Sequence, residues 1–114
     1  MGKASSVALG IALAQPDKKV FCLDGDGGLL MNLGTLVTIA ETAPDNLVHF
    51  VFEDGMYFTT GGQPIPGSEK FDLAAMARDA GFERTYEFSD LEDLASELPL
   101  ILEQKGPILS LIHI

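Results

Sequence analysis

The sequence predicts an α/β fold, a three-layer doubly wound sheet that is mainly parallel and has helices on both faces. Helical and strand patterns alternate along the chain, and strands that are separated by helices usually run parallel in one sheet. The two clearest strand segments, 19–23 and 47–52, are apolar runs without in–out alternation, as expected for strands buried on both faces. With 114 residues, 46% of them hydrophobic, the chain suffices for one domain spanning 1–114.

Two helix–strand pairs are predicted in the first half of the chain. In order they are helix 4–14, strand 19–23, helix 32–42 and strand 47–52. Val7, Ile11 and Ala14 lie at helical spacing and are the predicted core face of the first helix. Gln15-Pro16-Asp17 ends this helix.

The second half begins with a Gly- and Pro-rich loop, 53–69. The elements predicted after it are helix 73–80 ending at Gly81, strand 84–88, a helix from 89 to about 102, and the apolar tail 108–114. Ser89 and Glu92 have the spacing of a capping box, with Ser89 as the N-cap.

Composition argues against several classes of function. The formal net charge of −10 opposes binding to nucleic acid and to anionic membrane surfaces, because like charges repel. No apolar stretch reaches membrane-spanning length, and no secretory signal pattern opens the chain. The single cysteine, Cys22, cannot form an internal disulfide, so a reduced, cytoplasmic setting is predicted.

Two acid–glycine turns follow the carboxyl ends of the predicted strands, where open parallel sheets bind their ligands. Gly25-Asp26-Gly27-Gly28 follows the first strand, and Asp54-Gly55 follows the second. Glycine allows backbone amides to approach a phosphate closely. These turns are therefore the predicted ligand site.

The 26 residues between Gly27 and Asp54 return the chain to the same edge of the sheet. The intervening helix advances roughly 16 Å at 1.5 Å per residue. The strand returns about 20 Å at 3.3 Å per residue, so the two legs nearly cancel. We therefore expect Asp26 and Asp54 to share one cation, and two carboxylates beside amide-rich turns suit Mg²⁺ with a diphosphate.

Other kinds of loop contain the same residue types. Asp and Gly are common in plain βα turns, so a purely structural role stays open. A calcium-binding loop fails because Gly28 occupies a position that should donate oxygen. The glycine spacings of a Walker phosphate loop and of a dinucleotide fingerprint are both absent.

Gly25-Asp26-Gly27, followed after 26 residues by Asp54-Gly55, resembles the metal–diphosphate motif of thiamine diphosphate enzymes. The resemblance extends from residue 1 to about 107 and covers the pyrophosphate-binding domain alone. It points most strongly to the sulfopyruvate and phosphonopyruvate decarboxylases. The stretches that carry this are Met1-Gly2, Ala4-Ser5-Ser6, Leu29-Leu30-Met31-Asn32-Leu33-Gly34 and Thr60-Gly61-Gly62-Gln63.

This resemblance implies a role for each matching residue. Mg²⁺ would be ligated by Asp26, by Asp54 and by the carbonyl of Met56. Thiamine diphosphate would be bound by Met1, Gly2, Gly25, Asp26, Gly27, Gly28, Tyr57, Thr59 and Thr60. Met1 matches the bulky apolar residue that holds the cofactor bent, and the amides of Gly27 and Gly28 would face the diphosphate. The family usually has Asn where this chain has Asp54, which adds a negative charge close to two phosphates.

The resemblance also implies chemistry and partners. The cofactor's thiazolium carbon attacks a 2-oxo acid substrate and the ring accepts the electrons left by CO₂. The activating glutamate of the family belongs to a pyrimidine-binding domain, which nothing in this chain matches. The chain is therefore expected to be inactive alone and to need a pyrimidine-binding domain or subunit in a homo- or hetero-oligomer. A carboligase component of the acetolactate synthase type, and a non-catalytic truncated domain with a weakened metal site, stay open.

We have one expectation for each end of the chain. The family's domain has another strand and helix before the position of Met1, so we expect this unit to be missing and Met1 to be an internal residue of a longer gene. Leu-Ser-Leu-Ile-His-Ile, residues 109–114, is also one translation of a common transposon-end sequencing adapter. We treat these six residues as a candidate artefactual tail and assign no function to His113.

Several residues have plainer predicted roles. His49 is predicted to be a hydrogen-bonded core histidine, and Cys22 a buried, unreactive thiol. Met31 and Met76 are predicted to fill gaps in the core. Thr59 and Thr60 are either ordinary loop residues or donors to the acidic group of the substrate.

Overall fold

The computed structural model describes all 114 residues, and it shows a four-stranded parallel sheet with helices on both faces. The helices are α1 (Ala4–Ala14), α2 (Asp26–Leu30), α3 (Thr35–Thr42), α4 (Leu73–Ala80) and α5 (Leu91–Glu103). The strands are β1 (Val20–Gly25), β2 (Leu47–Glu53), β3 (Met56–Tyr57), β4 (Gln63–Pro64), β5 (Arg84–Phe88) and β6 (Ile108–His113). The predicted α/β class is confirmed.

The main sheet has the strand order β1–β2–β6–β5, and every neighbouring pair is parallel. Because parallel strands end at the same edge, the loops that follow β1 and β2 begin side by side. The register pairs Gly25, the last residue of β1, with Phe52 of β2. A separate small hairpin, β3 with β4, lies in the loop after β2.

Two apolar cores lie on opposite faces of the sheet. The larger, with 14 buried residues, includes Cys22 and Leu109 on the strands and packs beneath α1, α3 and α4. The smaller, with six buried residues, lies between the strands and α5, where Ile101 is fully buried. Burying one such aliphatic side chain contributes about 1.5–3 kcal/mol, so the larger core supplies most of the apolar stabilisation.

Helix α1 does not bury the face that its sequence predicts. The side chains of Val7 and Ile11 are 58% and 49% exposed, and Ala14 is exposed as well. The buried residues of α1 are small: Ser5, Ala8 and Ala12. Helix α1 is apolar around most of its circumference, so spacing alone does not decide which side faces the sheet. Small side chains let its backbone approach the strands closely.

Three other local predictions are wrong. The helix predicted at 32–42 begins at Thr35, because α2 and a turn occupy the residues before it. Met31 is 56% exposed instead of filling the core. The N-cap of α5 is Asp90, not Ser89, and its carboxylate accepts a hydrogen bond from the Glu92 N–H at 2.7 Å. By contrast, α1, α4 and β5 have the predicted bounds.

The apolar tail forms β6, which pairs with β2 on one side and β5 on the other. Its residues from Ile108 to Ile112 are buried. The artefactual origin of residues 109–114 and the missing N-terminal strand and helix stay predictions.

Strand β1 forms one edge of the sheet, and its outer side is unpaired. Phe21 is 50% exposed and Leu23 70% exposed on this strand. Together with Val7 and Ile11 of α1 they line an apolar groove, which we call the β1 groove. No helix of the chain combines the length and the apolar character that crossing a bilayer requires.

Candidate functional site

A cavity of about 340 Å³ opens at the carboxyl edge of the sheet, where β1 and β2 end. The start of α1, the turn after β1 and the loop after β2 form its walls. The predicted residues that line it are Met1, Gly2, Gly25, Asp26, Gly27, Gly28, Asp54, Met56 and Thr59. The structure therefore brings the two acid–glycine turns together, as their spacing predicts.

Two predicted residues, Tyr57 and Thr60, do not line this cavity. The ring of Tyr57 packs against Gly27, where an added Cβ would lie only 2.8 Å from Tyr57 Cδ1. The hydroxyl of Thr60 is 3.4 Å from the carbonyl of Tyr57 and 3.3 Å from Oε1 of Gln63, so its bonds stay within its own loop. Tyr57 supports the glycine turn from behind, and Thr60 supports the loop.

Asp26 joins the two loops. Its side chain is buried, and Oδ1 accepts a hydrogen bond from the Gly27 N–H at 2.9 Å. Oδ2 accepts another from the Gly55 N–H, also at 2.9 Å. One carboxylate thus fixes the turn after β1 against the loop after β2.

Burial raises the pKa of Asp26 above the ordinary carboxyl value of 3.8, and the nearby charge of Asp54 raises it further. The N–H donors of Gly55 and Gly27 offset part of this increase. A buried carboxylate beside a second acid is destabilised while it is charged, because it has left water without gaining a counter-charge. A bound cation would relieve both effects.

Asp54 and Met56, in the loop after β2, supply further oxygen atoms to the same cavity. The exposed side chain of Asp54 accepts a hydrogen bond from the Met56 N–H at 3.1 Å. The carbonyl oxygen of Met56 lies 3.5 Å from the point that a Cβ on Gly27 would occupy. Two carboxylates and a carbonyl are the hard oxygen donors that Mg²⁺ and Ca²⁺ prefer. The residues present therefore fit a hard divalent cation.

Met1 and Gly2 form part of the cavity wall, and a Cβ on Gly2 would lie 3.7 Å from the carbonyl oxygen of Gly28. The Thr59 hydroxyl donates a hydrogen bond to the Met1 Sδ at 2.8 Å. Gly2 has a φ of +78°, and an added Cβ would lie 3.0 Å from the Cβ of Met31. Glycine is required here by both the backbone angle and the close approach.

The cavity also contains residues that the sequence reasoning missed: Lys3, Ala4, Asp24 and Phe58. Asp24 immediately precedes Gly25 at the end of a strand, so the rule that selected Asp26 could have selected it too. Its carboxylate lies 3.1 Å from Nε2 of His49, and the prediction of a hydrogen-bonded core histidine is confirmed.

Cys22 is buried on the inner face of β1, as predicted. Burial, with a smaller contribution from the charge of Asp24, raises the pKa of its thiol to about 12. The thiol therefore keeps its proton at neutral pH and is a poor nucleophile.

Comparison with known proteins gives a consistent result. The sequence profile of the family described as "Thiamine pyrophosphate enzyme, C-terminal TPP binding domain" matches residues 1–113. Phosphonopyruvate decarboxylase of Streptomyces viridochromogenes is 41% identical over 114 residues, which are 100% of this chain and 28% of that protein. Sulfopyruvate decarboxylase subunit beta of Methanothermobacter thermautotrophicus is 44% identical over 108 residues, 95% of this chain and 55% of that subunit.

A solved structure agrees with the sequence relatives. It is the X-ray structure of a Mycobacterium smegmatis protein assigned to the thiamin diphosphate-dependent enzymes, with a TM-score of 0.82 and 26% identity. The match covers 99% of this chain and 22% of that one. The chain thus spans between about a quarter and about half the length of the relatives compared.

Proposed function

Because the chain belongs to the thiamine pyrophosphate enzyme family, as its C-terminal TPP-binding domain, we propose that its cavity holds Mg²⁺ and the diphosphate of thiamine diphosphate within a 2-oxo acid decarboxylase. The observation that carries this proposal is the hydrogen bond from Gly55 to Asp26, which brings both acid–glycine turns into one cavity. Thiamine diphosphate and a divalent metal ion are the cofactors of such a domain.

Asp26, Asp54 and the carbonyl of Met56 would hold the metal. Asp26 is already oriented by two N–H donors, so little side-chain freedom would be lost when a cation binds. The amide of Gly28 would face the diphosphate, whereas the predicted amide of Gly27 is already donated to Asp26 Oδ1 at 2.9 Å and would bind the diphosphate only by giving up that bond. Met1 would contact the rest of the cofactor. The metal would neutralise the phosphates in a chain whose net charge is −10.

When bound, the cofactor supplies a thiazolium carbon that attacks the carbonyl of a 2-oxo acid and an electron sink for decarboxylation. The chain's own residues would bind and orient the cofactor and neutralise its charge. Thr59, which lines the cavity, would exchange its hydrogen bond to Met1 Sδ for one to the acidic group of the substrate, whereas Thr60 bonds within its loop.

The names of the relatives support a sulfopyruvate or phosphonopyruvate type of substrate, since both are 2-oxo acids with a second acidic group. An acetolactate synthase-like carboligation is the alternative chemistry. Product analysis with pyruvate, sulfopyruvate and phosphonopyruvate separates the two, because a carboligase would give a longer carbon skeleton from pyruvate.

A pyrimidine-binding domain or subunit would complete the enzyme, and we place the assembly in the cytoplasm. A relative that is named as a beta subunit supports a partner chain. The exposed β1 groove supports further packing, because Phe21 and Leu23 leave a large apolar area in contact with water. The activating glutamate is expected from that partner, so this chain would be a lyase component that is inactive alone.

A non-catalytic domain with a weakened metal site is the second candidate. Asp54 in place of the family's usual Asn favours it, because a second acid raises the negative charge beside the diphosphate. This candidate would still fold and associate with a relative.

Ligand-dependent stabilisation distinguishes the two candidates. We would measure the thermal midpoint of the chain, alone and mixed with the pyrimidine-binding subunit of a sulfopyruvate decarboxylase, with Mg²⁺ and thiamine diphosphate together and separately. The decarboxylase component should be stabilised only when both ligands are present, and Asp26→Ala should remove the effect. If the midpoint stays unchanged in the mixture for both the parent and Asp54→Asn, the proposal is wrong.

A further inference from the structure

His49 is fully buried in the middle of β2, yet it is bonded to a residue that lines the cavity. Its Nε2 lies 3.1 Å from Oδ2 of Asp24, near the end of β1. The strand register places His49 opposite Cys22, so the imidazole reaches forward along the neighbouring strand towards the glycine turn. His49 itself does not line the cavity.

The other carboxylate oxygen of Asp24 is hydrogen-bonded to the glycine turn. Oδ1 accepts a hydrogen bond from the Gly25 N–H at 2.9 Å. The same oxygen lies 2.6 Å from the point that a Cβ on Gly28 would occupy, so it fills the space beneath that residue. Asp24 therefore contacts the turn at Gly25 and again at Gly28.

Packing alone does not explain why position 49 is a histidine. A carboxylate only accepts hydrogen bonds, so Nε2 of His49 is the donor. Nδ1 is buried and has no hydrogen-bond partner. An apolar side chain would fill this space without such a desolvation penalty. The interaction that His49 adds is the one with Asp24.

We infer that His49 is a positioning residue: its Nε2–H fixes the carboxylate of Asp24, and Asp24 in turn fixes the glycine turn in the shape that receives the diphosphate. The role in ligand binding rests on the proposed function, whereas the effect on the turn does not. Residues that orient a binding group from behind commonly change metal affinity by 10- to 100-fold when they are replaced.

A metal site is the competing explanation for the same side chains. One ligand atom from each of Cys22, Asp24 and His49 lies within 4.8 Å of the others. However, Nε2 of His49 is already bonded to Asp24 at 3.1 Å, and the other oxygen of Asp24 accepts the Gly25 N–H at 2.9 Å. The hydrogen-bonded arrangement therefore accounts for these residues without an ion.

The first test uses the ligand-free chain and amide hydrogen exchange read by NMR. His49→Leu should raise exchange at Gly25, Gly27 and Gly28 by about tenfold or more relative to the rest of the sheet. His49→Gln, whose amide nitrogen can occupy the position of Nε2, should restore exchange to within about threefold of the parent. The matched control is Val48→Ala on the same strand, whose side chain lies in the core on the opposite sheet face.

Three results would overturn the inference. One is an increase in amide exchange at the glycine turn that is no larger in His49→Leu than in Val48→Ala. Another is a failure of His49→Gln to restore slow exchange. The third is one equivalent of tightly bound metal that is lost on replacing His49. If His49→Leu does not fold, His49→Asn takes its place, because its side chain stays polar but is too short to reach Asp24.

The second test measures the Kd for thiamine diphosphate at saturating Mg²⁺. His49→Leu should weaken binding about tenfold, His49→Gln should restore it, and Val48→Ala should leave it within about threefold. If the parent chain and its mixture with a pyrimidine-binding subunit bind nothing, the proposed function fails. The exchange result still decides whether His49 shapes the turn.

Discussion

The carboxylate of Asp26 and the backbone N–H of Gly55 form a hydrogen bond of 2.9 Å that connects the ends of two neighbouring strands. Asp26 begins the segment after β1, and Gly55 lies in the loop after β2. The bond holds a buried acid beside a second acid, Asp54, within one cavity. The metal and cofactor predictions depend on this arrangement.

Asp26→Asn should abolish Mg²⁺-dependent binding of thiamine diphosphate while leaving the ligand-free chain folded. The amide removes a buried charge but accepts only one of the two N–H bonds, so these effects should cancel to within about 1 kcal/mol in the free energy of unfolding. Urea denaturation with and without both ligands measures the two quantities. Asp17→Asn, at an exposed position, is the control. Ligand-dependent stabilisation that survives in Asp26→Asn would remove Asp26 from the metal site.

The raised pKa of Asp26 gives its contribution a definite pH dependence. The folded chain binds this proton more tightly than the unfolded chain, so the stability contributed is present at low pH and is lost as pH rises through the folded pKa. The difference in unfolding free energy between the parent and Asp26→Asn should therefore shift in favour of the parent as pH falls from 7. Mg²⁺ competes with that proton, so the affinity for Mg²⁺ should fall as the pH is lowered. The fall should begin at a higher pH than for an ordinary carboxyl group, whose pKa is 3.8. A parent–variant difference that is flat from pH 7 to 4 would contradict this.

Asp54→Asn should tighten binding of thiamine diphosphate at saturating Mg²⁺ by roughly tenfold, or about 1.4 kcal/mol. The single oxygen of the amide can accept the Met56 N–H with one lone pair and offer the other to the metal, and the substitution removes one negative charge near the diphosphate. Calorimetric titration of the parent and the variant measures the change. The matched control is Asp45→Asn, an exposed acid outside the cavity. An unchanged or weaker affinity would show that the charge of Asp54 is not what limits binding.

Gly28→Ala should destabilise the chain by about 1–3 kcal/mol, because its Cβ would lie 2.6 Å from Oδ1 of Asp24. Gly10→Ala is the control, since nothing lies within 4 Å of a Cβ there. Alanine in the middle of a helix is favoured over glycine by about 0.5–1 kcal/mol, so Gly10→Ala should stabilise. Urea denaturation compares the two variants. Equal effects of both substitutions would argue against a tight turn at Gly28.

Asn46→Asp should be more damaging than Asn46→Ala. The amide Nδ2 of Asn46 is buried and lies 3.0, 3.0 and 2.8 Å from the carbonyl oxygens of Ala12, Gln15 and Lys18, so its two N–H groups are shared among three acceptors. Alanine leaves these acceptors unpaired, at about 1–3 kcal/mol, and a carboxylate would in addition be repelled by them. The free energies of unfolding of the two variants decide which is more damaging. Asn32→Asp is the control, because the side chain of Asn32 makes only one hydrogen bond, to Ser6, and that bond is 3.5 Å long. An equal loss in both Asn46 variants would point to packing alone.

The sheet and the meeting of the two acids could be predicted because both follow from segment lengths. Strand and helix rises alone return Asp54 to the edge that carries Asp26. The pairing of Asp24 with His49 could not be predicted, because it depends on the register of β1 against β2, which no local pattern specifies. The prediction of the buried face of α1 was wrong for a different reason. In a helix that is apolar on several sides, the neighbours decide which side is buried, and here they select Ser5, Ala8 and Ala12.

The free outer side of β1 has a consequence for handling the chain. Its unpaired N–H and C=O groups, flanked by Phe21 and Leu23, form a template onto which an identical strand can add. Because β2 already occupies the inner side of β1, this addition uses the free edge of both copies and would give a closed pair, favoured at high concentration, in which each copy keeps its native shape. Dilution, or the substitution Leu23→Lys on the exposed edge, would disfavour that pair.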